Sequence, residues 1–539
     1  MRRHLVAYVL PIVLTVSFAT IGVPQVLAPS TSKPTGAISI RAFGAVGDGV
    51  TNDTAAVQAA MNAGARAIYC DPGIFAIDTV TIPATVRHVS GACTFKQRAV
   101  NHNTFTVVRP SGLTIEGLSL EGIPGSDIAA NNNGIFVSGG SNVLIQAVTC
   151  TGYRQNCVWV EDSSDVTVDR VLGYGIAKGV QFRGVRRGAI TNSVFRDTAL
   201  PSTIFTIAIF LDSSSGHAFG VCTDIRIANN LVANYVNSQA IEVHAGQRVT
   251  ITGNIATNVM MGISMNAAVA TDTISDVTVS GNTIQGTSTR FDGATGGAGI
   301  QAAGFDVRHP ATNVAIVGNT VRSMNGVLLD SSTGAIQAHE ADNVTILGNA
   351  IQAPAANAIV VGPAARGVLV SQNTVNHVLP VRGTGAGILV NGTGTSGAIV
   401  DNWLSSASDG VRLGADNYPR LVVDRNRFAS VTSRYVNPRH AVTEGVGLYT
   451  PGTTILDAAN GEIRFFVIAN PWPTTISDLT NGAEGQILRL QFADANTTIS
   501  RTHVMLMGGV NFTGAANAIL TLLKQGRYWR EVSRSVNNS

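Results

Sequence analysis

This sequence repeats a short pattern, Gly/Ala-Ile/Val-x-Val/Leu-x, in which the x positions often carry polar or aromatic residues. Alternate residues of a strand point to opposite faces, so the apolar residues face inward and the x residues face outward. Aligning successive strands gives two outward columns. The first contains Phe136, Trp159, Gln181, Phe210, Glu242, Ser264, Gln301 and Gln337, and the second contains Ser138, Glu161, Arg183, Asp212, His244, Asn266, Ala303 and His339.

Titratable groups are concentrated in one stretch of these columns. Glu161, Arg183, Asp212 and His244 hold one position on four successive strands, and Glu242 lies two residues before His244. Carboxylates can transfer protons, and aromatic side chains offer large apolar faces to a ligand. We therefore expect a groove that binds and cleaves a polysaccharide.

Asp212 and Glu242 are the predicted catalytic pair, with Glu161 as a third candidate. Strands stacked about 4.8 Å apart would separate Asp212 and Glu242 by roughly 8 Å. Inverting glycoside hydrolases place their acid and base about 6.5–9.5 Å apart. We expect His244 and Arg183 to tune the pKa values of these carboxylates and to bind substrate. The other expected substrate-binding residues are Trp159, Gln181, Phe210, Gln301 and His339.

The strands belong to a longer repeat with an Asn residue in the turn between two strands. Its intervals run from 24 to 38 residues, and 24 recurs. One such repeat cannot bury its apolar face alone, so repeats must stack as coils of a solenoid. Asn at one coil position predicts a ladder of side-chain amides. The anchor residues are Asn192, Asn230, Asn254, Asn282, Asn319, Asn349, Asn373, Asn402 and Asn426.

The composition supports an all-β fold. Charged residues make up only 13% of the chain and aromatic residues 6%, while β-branched residues recur throughout. These values disfavour a helical bundle and favour sheet. The fold predicted from the repeat is a single-stranded parallel β-helix.

The N-terminal segment carries a family resemblance. Residues 38–91, with ISIRAFGAVGDGVTNDTAAVQAAMNAG, IYCDPGIFAI and VTIPATVRHVSG, closely resemble the opening of the pectate-lyase-like superfamily. That superfamily includes polygalacturonase-type hydrolases and tailspike depolymerases, so the resemblance implies a right-handed helix and a polysaccharide substrate. Its polygalacturonase motifs Asn-Thr-Asp, Asp-Asp, Gly-His-Gly and Arg-Ile-Lys are not intact here. No catalytic residue is therefore transferred from it.

A short helix is expected at the N-terminal end of the solenoid, over Thr54 to Ala63. It would carry an apolar stripe and be capped by Asn52 or Asp53, and it would plug the first coil.

After about residue 440 the pattern changes to alternating strands. This C-terminal module is expected to cap the last coil or to assemble the chain, for example as a homotrimer, rather than to bind sugar. The predicted divisions are a signal peptide (1–28), an N-terminal cap with the first coils (36–110), the β-helix (111–440) and the C-terminal module (455–539).

The first residues have the layout of a secretory signal. Arg2 and Arg3 precede an apolar run from Leu5 to about Ile21, and small residues follow to Ala28. We expect an extracellular or periplasmic protein without membrane contact after cleavage. The net charge of +3 includes Arg2 and Arg3, so the mature chain is nearly neutral and no nucleic-acid partner is expected.

The five cysteines allow two interpretations. Cys70 could pair with Cys93, and Cys150 with Cys157, as suits an exported protein. Alternatively, all of them are thiols buried inside the coils. Cys222 is left over in either case.

Two longer intervals, 192–230 and 282–319, predict insertions, at 211–224 and around 293–310, that form the rims of the groove. The main alternative to hydrolysis is elimination by a polysaccharide lyase on a uronic-acid-containing glycan. No metal or other cofactor is expected for a hydrolase, whereas a lyase could use calcium held by Glu161, Asp162, Asp165 and Asp212. A third alternative is a glycan-binding surface protein without catalysis. The basic residues that would suit an acidic glycan are Arg154, Arg170, Lys178, Arg183, Arg186 and Arg187.

Overall fold

The computed structural model describes most of residues 33–535. The predicted signal peptide lies outside the described residues, as does Gly216-His217 in the first insertion. The segments within 33–535 that are not described are 101, 124–131, 197–205, 213–217, 237–238, 287–296, 325–332, 353–356, 377, 379–384, 393–394, 415–420, 437–441, 444–445, 448 and 459–464.

The described chain winds into a parallel β-helix, because each coil contributes one strand to each of three long sheets. We number the three sheets 1, 2 and 3 and give their strands below; within each coil the chain passes through sheet 3, then sheet 1, then sheet 2. Each strand of the helix pairs in parallel with the equivalent strand of the next coil. Sheet 3 carries the outward columns. Its strands are Val80–Ile82, Phe105–Val108, Ile135–Ser138, Asn156–Glu161, Lys178–Arg183, Ile207–Leu211, Gln239–Val243, Met261–Asn266, Ile300–Ala303, Gly334–His339, Asn357–Val361, Ala386–Val390, Asp409–Leu413 and Ser433–Val436.

Sheets 1 and 2 form the other two walls. In the helix, sheet 1 consists of Ile38–Ser39, Ala67–Cys70, His88–Gly91, Ser111–Glu116, Ser141–Gln146, Ser164–Asp169, Arg186–Thr191, Cys222–Ala228, Gly246–Thr252, Ile274–Ser280, Ala311–Val317, Ala341–Leu347, Val368–Ser371, Gly397–Val400, Leu421–Asp424 and Val442–Thr443. Sheet 2 consists of Asp48–Asn52, Ile74–Ile77, Thr94–Gln97, Ser119–Glu121, Thr149–Thr151, Leu172–Tyr174, Val194–Arg196, Leu231–Ala233, Ile255–Val259, Thr283–Gly286, Thr320–Arg322, Ala350–Gln352, Thr374–Asn376, Trp403–Ser405 and Arg427–Ala429. The inward side chains of the three sheets share one apolar core.

The N-terminal helix spans Thr54–Asn62 and buries Val57, Ala60 and Met61 against the first coils. Its predicted capping differs from the structure in one respect. The carboxylate of Asp53 makes no capping bond and instead accepts the backbone N–H groups of Val46 and Gly47. Asn52 Oδ1 accepts the N–H of Thr54 at 3.1 Å.

The C-terminal segment begins with two further coil-like layers. Ile455–Asp457, Phe465–Ile468 and Thr474–Ile476 pair in parallel with Asp478–Thr480, Ile487–Phe492 and Thr497–Ile499. The remaining strands are Val446–Gly447, Val504–Met505, Phe512–Thr513 and the antiparallel hairpin Ile519–Gln525 and Tyr528–Ser535; short 3₁₀ turns are Ile40–Phe43 and Met507–Gly509. The segment has its own apolar core around Trp529.

Two disulfide bonds are present, Cys70–Cys93 and Cys150–Cys157, and Cys222 is a buried free thiol. Both pairings match the first of the two interpretations of the cysteines. No helix among the described residues is long and apolar enough to cross a membrane.

A buried ladder of asparagines follows the turn between sheets 1 and 2. Asn254 and the Asn at the same position of each later coil accept the backbone and side-chain N–H groups of the Asn one coil earlier, beginning with Asn230. The assignment of Asn192 to this ladder was wrong, because Ser193 occupies the position and donates its N–H to Asn230. The residue before each ladder position has positive φ, a conformation that Asn tolerates, and Asn192 has φ 52°.

Replacing Asn319 by Ala should destabilise the helix strongly. Asn319 is 1% exposed, accepts two N–H groups of Asn282 and donates to Asn349 and Val279. Each buried polar group left unsatisfied costs about 1–3 kcal/mol. We expect a loss of roughly 3 kcal/mol, measured by thermal and urea denaturation. Asn376→Ala, at an exposed site on sheet 2, is the control, and equal losses in the two variants would contradict this prediction.

Candidate active site

The register of sheet 3 forms both outward columns as the sequence predicts. Trp159 pairs with Gln181, Gln181 with Phe210, and Phe210 with Glu242 on four successive coils. Farther along, Ser264 follows Glu242 and precedes Gln301 and Gln337. Because the strands are parallel and in register, residues far apart in sequence become neighbours on one face.

His244 lies between the two predicted catalytic carboxylates. Its Nε2 is 2.9 Å from Glu242 Oε1, and its Nδ1 is 3.8 Å from Asp212 Oδ1. The side chain of Glu242 is 7% exposed and that of Asp212 is 18% exposed, whereas His244 is 21% exposed. The structure thus brings Asp212, Glu242 and His244 together in a mostly buried cluster on sheet 3.

Asp212 receives polar contacts from both outward columns of the preceding coil. Gln181 Nε2 donates to Asp212 Oδ2 at 2.7 Å, and Arg183 Nε lies 3.7 Å from the same oxygen. Gln181 is buried, so its amide is held in place by packing. These donors suit a carboxylate that carries negative charge.

Phe210 is 4% exposed, so its ring offers little surface to a substrate. The ring packs edge-on against His244, with 4.9 Å between centroids, and Lys178 Nζ lies 5.2 Å from its centroid. Phe210 thus packs against His244, and the substrate binding expected of it stays a prediction.

Two further residues of the cluster were missing from the predicted site. Gln239 Nε2 donates to Glu242 Oε1 at 3.2 Å, and Lys178 lies within electrostatic reach of Asp212 and Glu242. Both residues stand at the beginning of their strands, three residues before Gln181 and Glu242 of the first outward column. Strict alternation would turn this position inward, so the outward columns did not include them.

The negative charges of Asp212 and Glu242 affect the pKa values of His244 and Lys178. Burial tends to lower the pKa of His244, but its hydrogen bond with Glu242 and the negative charges of Glu242 and Asp212 outweigh burial and raise it. For Lys178 burial dominates, and its pKa is lowered although Asp212 and Glu242 oppose the shift. The imidazole therefore keeps its proton more readily than a free histidine does.

A titration of His244 followed by NMR should have its midpoint above the ordinary value of about 6.5. Because the folded-state pKa is raised, the stability that His244 contributes is complete below about pH 6.5 and is lost as pH rises through the folded-state pKa. The difference in melting temperature between wild type and His244→Gln should therefore shrink with rising pH. A midpoint below the ordinary value would contradict the contacts of His244 with Glu242 and Asp212.

Trp159 and Glu161 lie on the N-terminal side of the cluster. The ring of Trp159 packs edge-on against Phe136, with 5.1 Å between centroids, and both are partly exposed. Glu161 pairs in register with Arg183, one coil before Asp212. It is thus about 10 Å from Asp212 along the helix axis, farther than Glu242.

The described ends of the two insertions border this face. Phe219 donates its N–H to Asp162 Oδ1 at 3.3 Å, and Arg186 stacks on its ring at 4.5 Å. The second insertion ends in a tight turn, in which Asp306 accepts the N–H groups of Arg308 and His309.

The carboxylates proposed for calcium do not converge. Asp165 forms a two-pronged hydrogen bond with Arg187, and Asp162 binds the backbone of Phe219. Within the described residues, no group of three or more His, Cys, Asp or Glu is arranged to hold a metal ion. This set of side chains does not fit a calcium site.

Comparison with known proteins confirms the fold class. Residues 267–433 match the family model described as "Right handed beta helix region". The surface protein and adhesin PfbA of Streptococcus pneumoniae is 15% identical, with a TM-score of 0.52 over 66% of this chain and 100% of that chain. No curated protein sequence matches the chain.

Two enzymes have lower structural similarity. The catalytic domain of a GH87 alpha-1,3-glucanase, solved with tetrasaccharides, is 14% identical with a TM-score of 0.45, over 77% of this chain and 70% of that chain. A hyperthermoactive exopolygalacturonase from Thermotoga maritima is 11% identical with a TM-score of 0.38, over 75% of this chain and 90% of that chain. The family model and the similarity to PfbA show that the chain is a right-handed parallel β-helix.

Proposed function

We propose that this right-handed parallel β-helix protein, of the pectate-lyase-like type, is a glycoside hydrolase that cleaves a polysaccharide in the groove on sheet 3. The observation that carries the proposal is the imidazole of His244 between the carboxylates of Asp212 and Glu242. Paired carboxylates on neighbouring coils provide an acid and a base on one open face.

Asp212 is the general base in this proposal. It accepts a hydrogen bond from Gln181 and lies near Arg183, and both contacts hold its carboxylate in position. Asp212 is also more exposed than Glu242, so a water molecule can reach it. It takes a proton from the water that attacks the anomeric carbon.

Glu242 is the general acid. The raised pKa of His244 keeps a proton on its imidazole, and transfer of that proton across the 2.9 Å contact from Nε2 to Oε1 protonates Glu242. Glu242 transfers a proton to the glycosidic oxygen as the bond between that oxygen and the anomeric carbon breaks. His244 and Gln239 orient the carboxyl group, and Trp159 offers a ring to a sugar on the N-terminal side.

A lyase is the second candidate, and Lys178 is the observation that favours it. Burial lowers the pKa of this lysine, so that it could accept a proton, and Arg183 could neutralise a substrate carboxylate. A lyase would abstract the C5 proton of a uronate while the bond from C4 to the glycosidic oxygen breaks, the leaving oxygen takes up a proton, and the product carries a C4–C5 double bond.

The two reactions leave different products from the same polysaccharide. Incubation with a panel of neutral and acidic polysaccharides should release reducing ends without the ultraviolet absorbance of an unsaturated uronate. Absorbance that grows with the reducing ends would establish the lyase instead. Binding without either product would make the protein a glycan-binding surface protein.

We also propose that the protein is exported to an extracellular or periplasmic location. The two disulfides suit an oxidising compartment, and a polysaccharide substrate is found outside the cell.

A further inference from the structure

We propose that Gln301, Gln337 and His339 form an uncharged sugar-binding subsite, which directs the protein to extended neutral polysaccharide chains. The inference rests on the proposed function and names its substrate class. Gln301 is two coils beyond Glu242 and Gln337 is three coils beyond it. These steps correspond to about 10 Å and 14 Å along the helix axis. A glycan that extends from Glu242 to both glutamines must therefore span several sugar units.

The side-chain amides of Gln301 and Gln337 are hydrogen-bonded to each other, but one amide oxygen of this pair lacks a hydrogen-bond donor. Gln337 Nε2 donates to Gln301 Oε1 at 3.1 Å. Gln337 is 5% exposed, and its Oε1 accepts no hydrogen bond from any part of the chain that the structure describes. A buried acceptor without a donor reduces stability, and a ligand that supplies a donor recovers that loss. A sugar hydroxyl is such a donor.

His339 adds a polar but uncharged group to the subsite. It is next to Gln337 in the second outward column, and burial lowers its pKa, so the ring is neutral near pH 7. Its imidazole packs over the next coil at Gly362, where a Cβ atom would lie 2.0 Å from His339 Nδ1. No cation of the kind that Arg183 supplies near Asp212 stands at the outward positions of these two coils, which are Gln301, Ala303, Gln337 and His339.

The turn at 304–310 follows the strand of Gln301 and carries the ring of Phe305 together with the Asp306–Arg308 ion pair. It is anchored to the same coil because Gly304 donates its N–H to the carbonyl groups of His339 and Glu340. Phe305 in this turn is 45% exposed. An exposed aromatic ring beside amide groups is the combination that binds the apolar face and the hydroxyl groups of a sugar.

The subsite closes on its C-terminal side. The next residues in the first outward column are Val360 and Leu389, which are buried and pack with Ala386. Their apolar side chains offer no hydrogen bonds. The polar groove therefore runs from Trp159 to His339 and ends there.

Gln337→Leu tests the subsite, because leucine keeps much of the volume and removes the amide. The probes are ladders of neutral gluco-, manno- and xylo-oligosaccharides, with oligogalacturonates as the acidic comparison. We expect the best neutral ladder to bind the variant about tenfold more weakly, as measured by calorimetry. The ratio of kcat/KM for long over short oligosaccharides should fall by a similar factor. Phe305→Ala should act in the same direction, and Gln352→Leu, an exposed amide on sheet 2, is the matched control.

The outcomes separate this inference from the proposed function. Weaker binding by Gln337→Leu without cleavage of any glycan by the wild type would support the subsite and refute the hydrolase. Cleavage by the wild type, with binding and length preference unchanged in Gln337→Leu, would refute the subsite alone. Selective binding and cleavage of oligogalacturonates would also refute it. A wild type that neither binds nor cleaves any ladder would refute both.

Discussion

Asp212→Asn is expected to lower the rate of glycan cleavage by about 10³-fold while the protein remains folded. General base catalysis by a positioned carboxylate contributes about 10²–10⁴-fold. The amide keeps the shape of the side chain and can still contact Gln181, but it cannot take a proton from water. The measurement is kcat/KM on the most active polysaccharide, with circular dichroism as the test of folding.

Asp224→Asn is the matched control for this variant. Asp224 is an exposed carboxylate on sheet 1 that pairs with Arg248 at 2.7 Å, outside the groove. The same chemical change there should leave cleavage unaffected, since exposed ion pairs contribute little even to stability. Equal activity of Asp212→Asn and Asp224→Asn would show that Asp212 is not the general base.

Glu242→Gln is expected to have the second large effect, a loss of about 10²–10⁴-fold in kcat. The amide cannot donate a proton to the leaving oxygen. Burial lowers the pKa of His244, and the charge of Glu242 is the main influence that raises it. Removing this charge should therefore lower the pKa of His244. An NMR titration of His244 in the variant measures this second effect independently of activity.

The protein contains a matched histidine–carboxylate pair outside the groove. His88 Nε2 lies 2.9 Å from Glu116 Oε1 on sheet 1. Glu116→Gln makes the same substitution in a similar contact and should leave cleavage unchanged. If Glu242→Gln kept full activity, or if Glu116→Gln lost as much, the assignment of the general acid would be wrong.

The positions of the backbone could be predicted from the sequence because the solenoid allows few choices. Once the strands stack in parallel, the alternation of side chains requires Gln181, Phe210 and Glu242 to share one outward column. The ladder of asparagines follows for the same reason. Asn192 was misplaced by one residue because Asn also suits the left-handed position that precedes the ladder.

The side-chain contacts of the cluster could not be predicted in this way. The columns place His244 near Asp212 and Glu242, but its position between them depends on side-chain torsions and on the packing of Phe210. Lys178 and Gln239 were missed because they begin their strands, before the alternation becomes regular. The burial of Phe210 could not be predicted either, because it depends on neighbours from other coils.

The release of reducing ends from a polysaccharide panel, by the wild type and by the double variant Asp212→Asn/Glu242→Gln, tests the central claim most directly. We predict that the wild type releases reducing ends without unsaturated products and that the folded double variant releases none above background. Equal release by the two proteins, or unsaturated products from the wild type, would contradict hydrolysis by this pair of carboxylates.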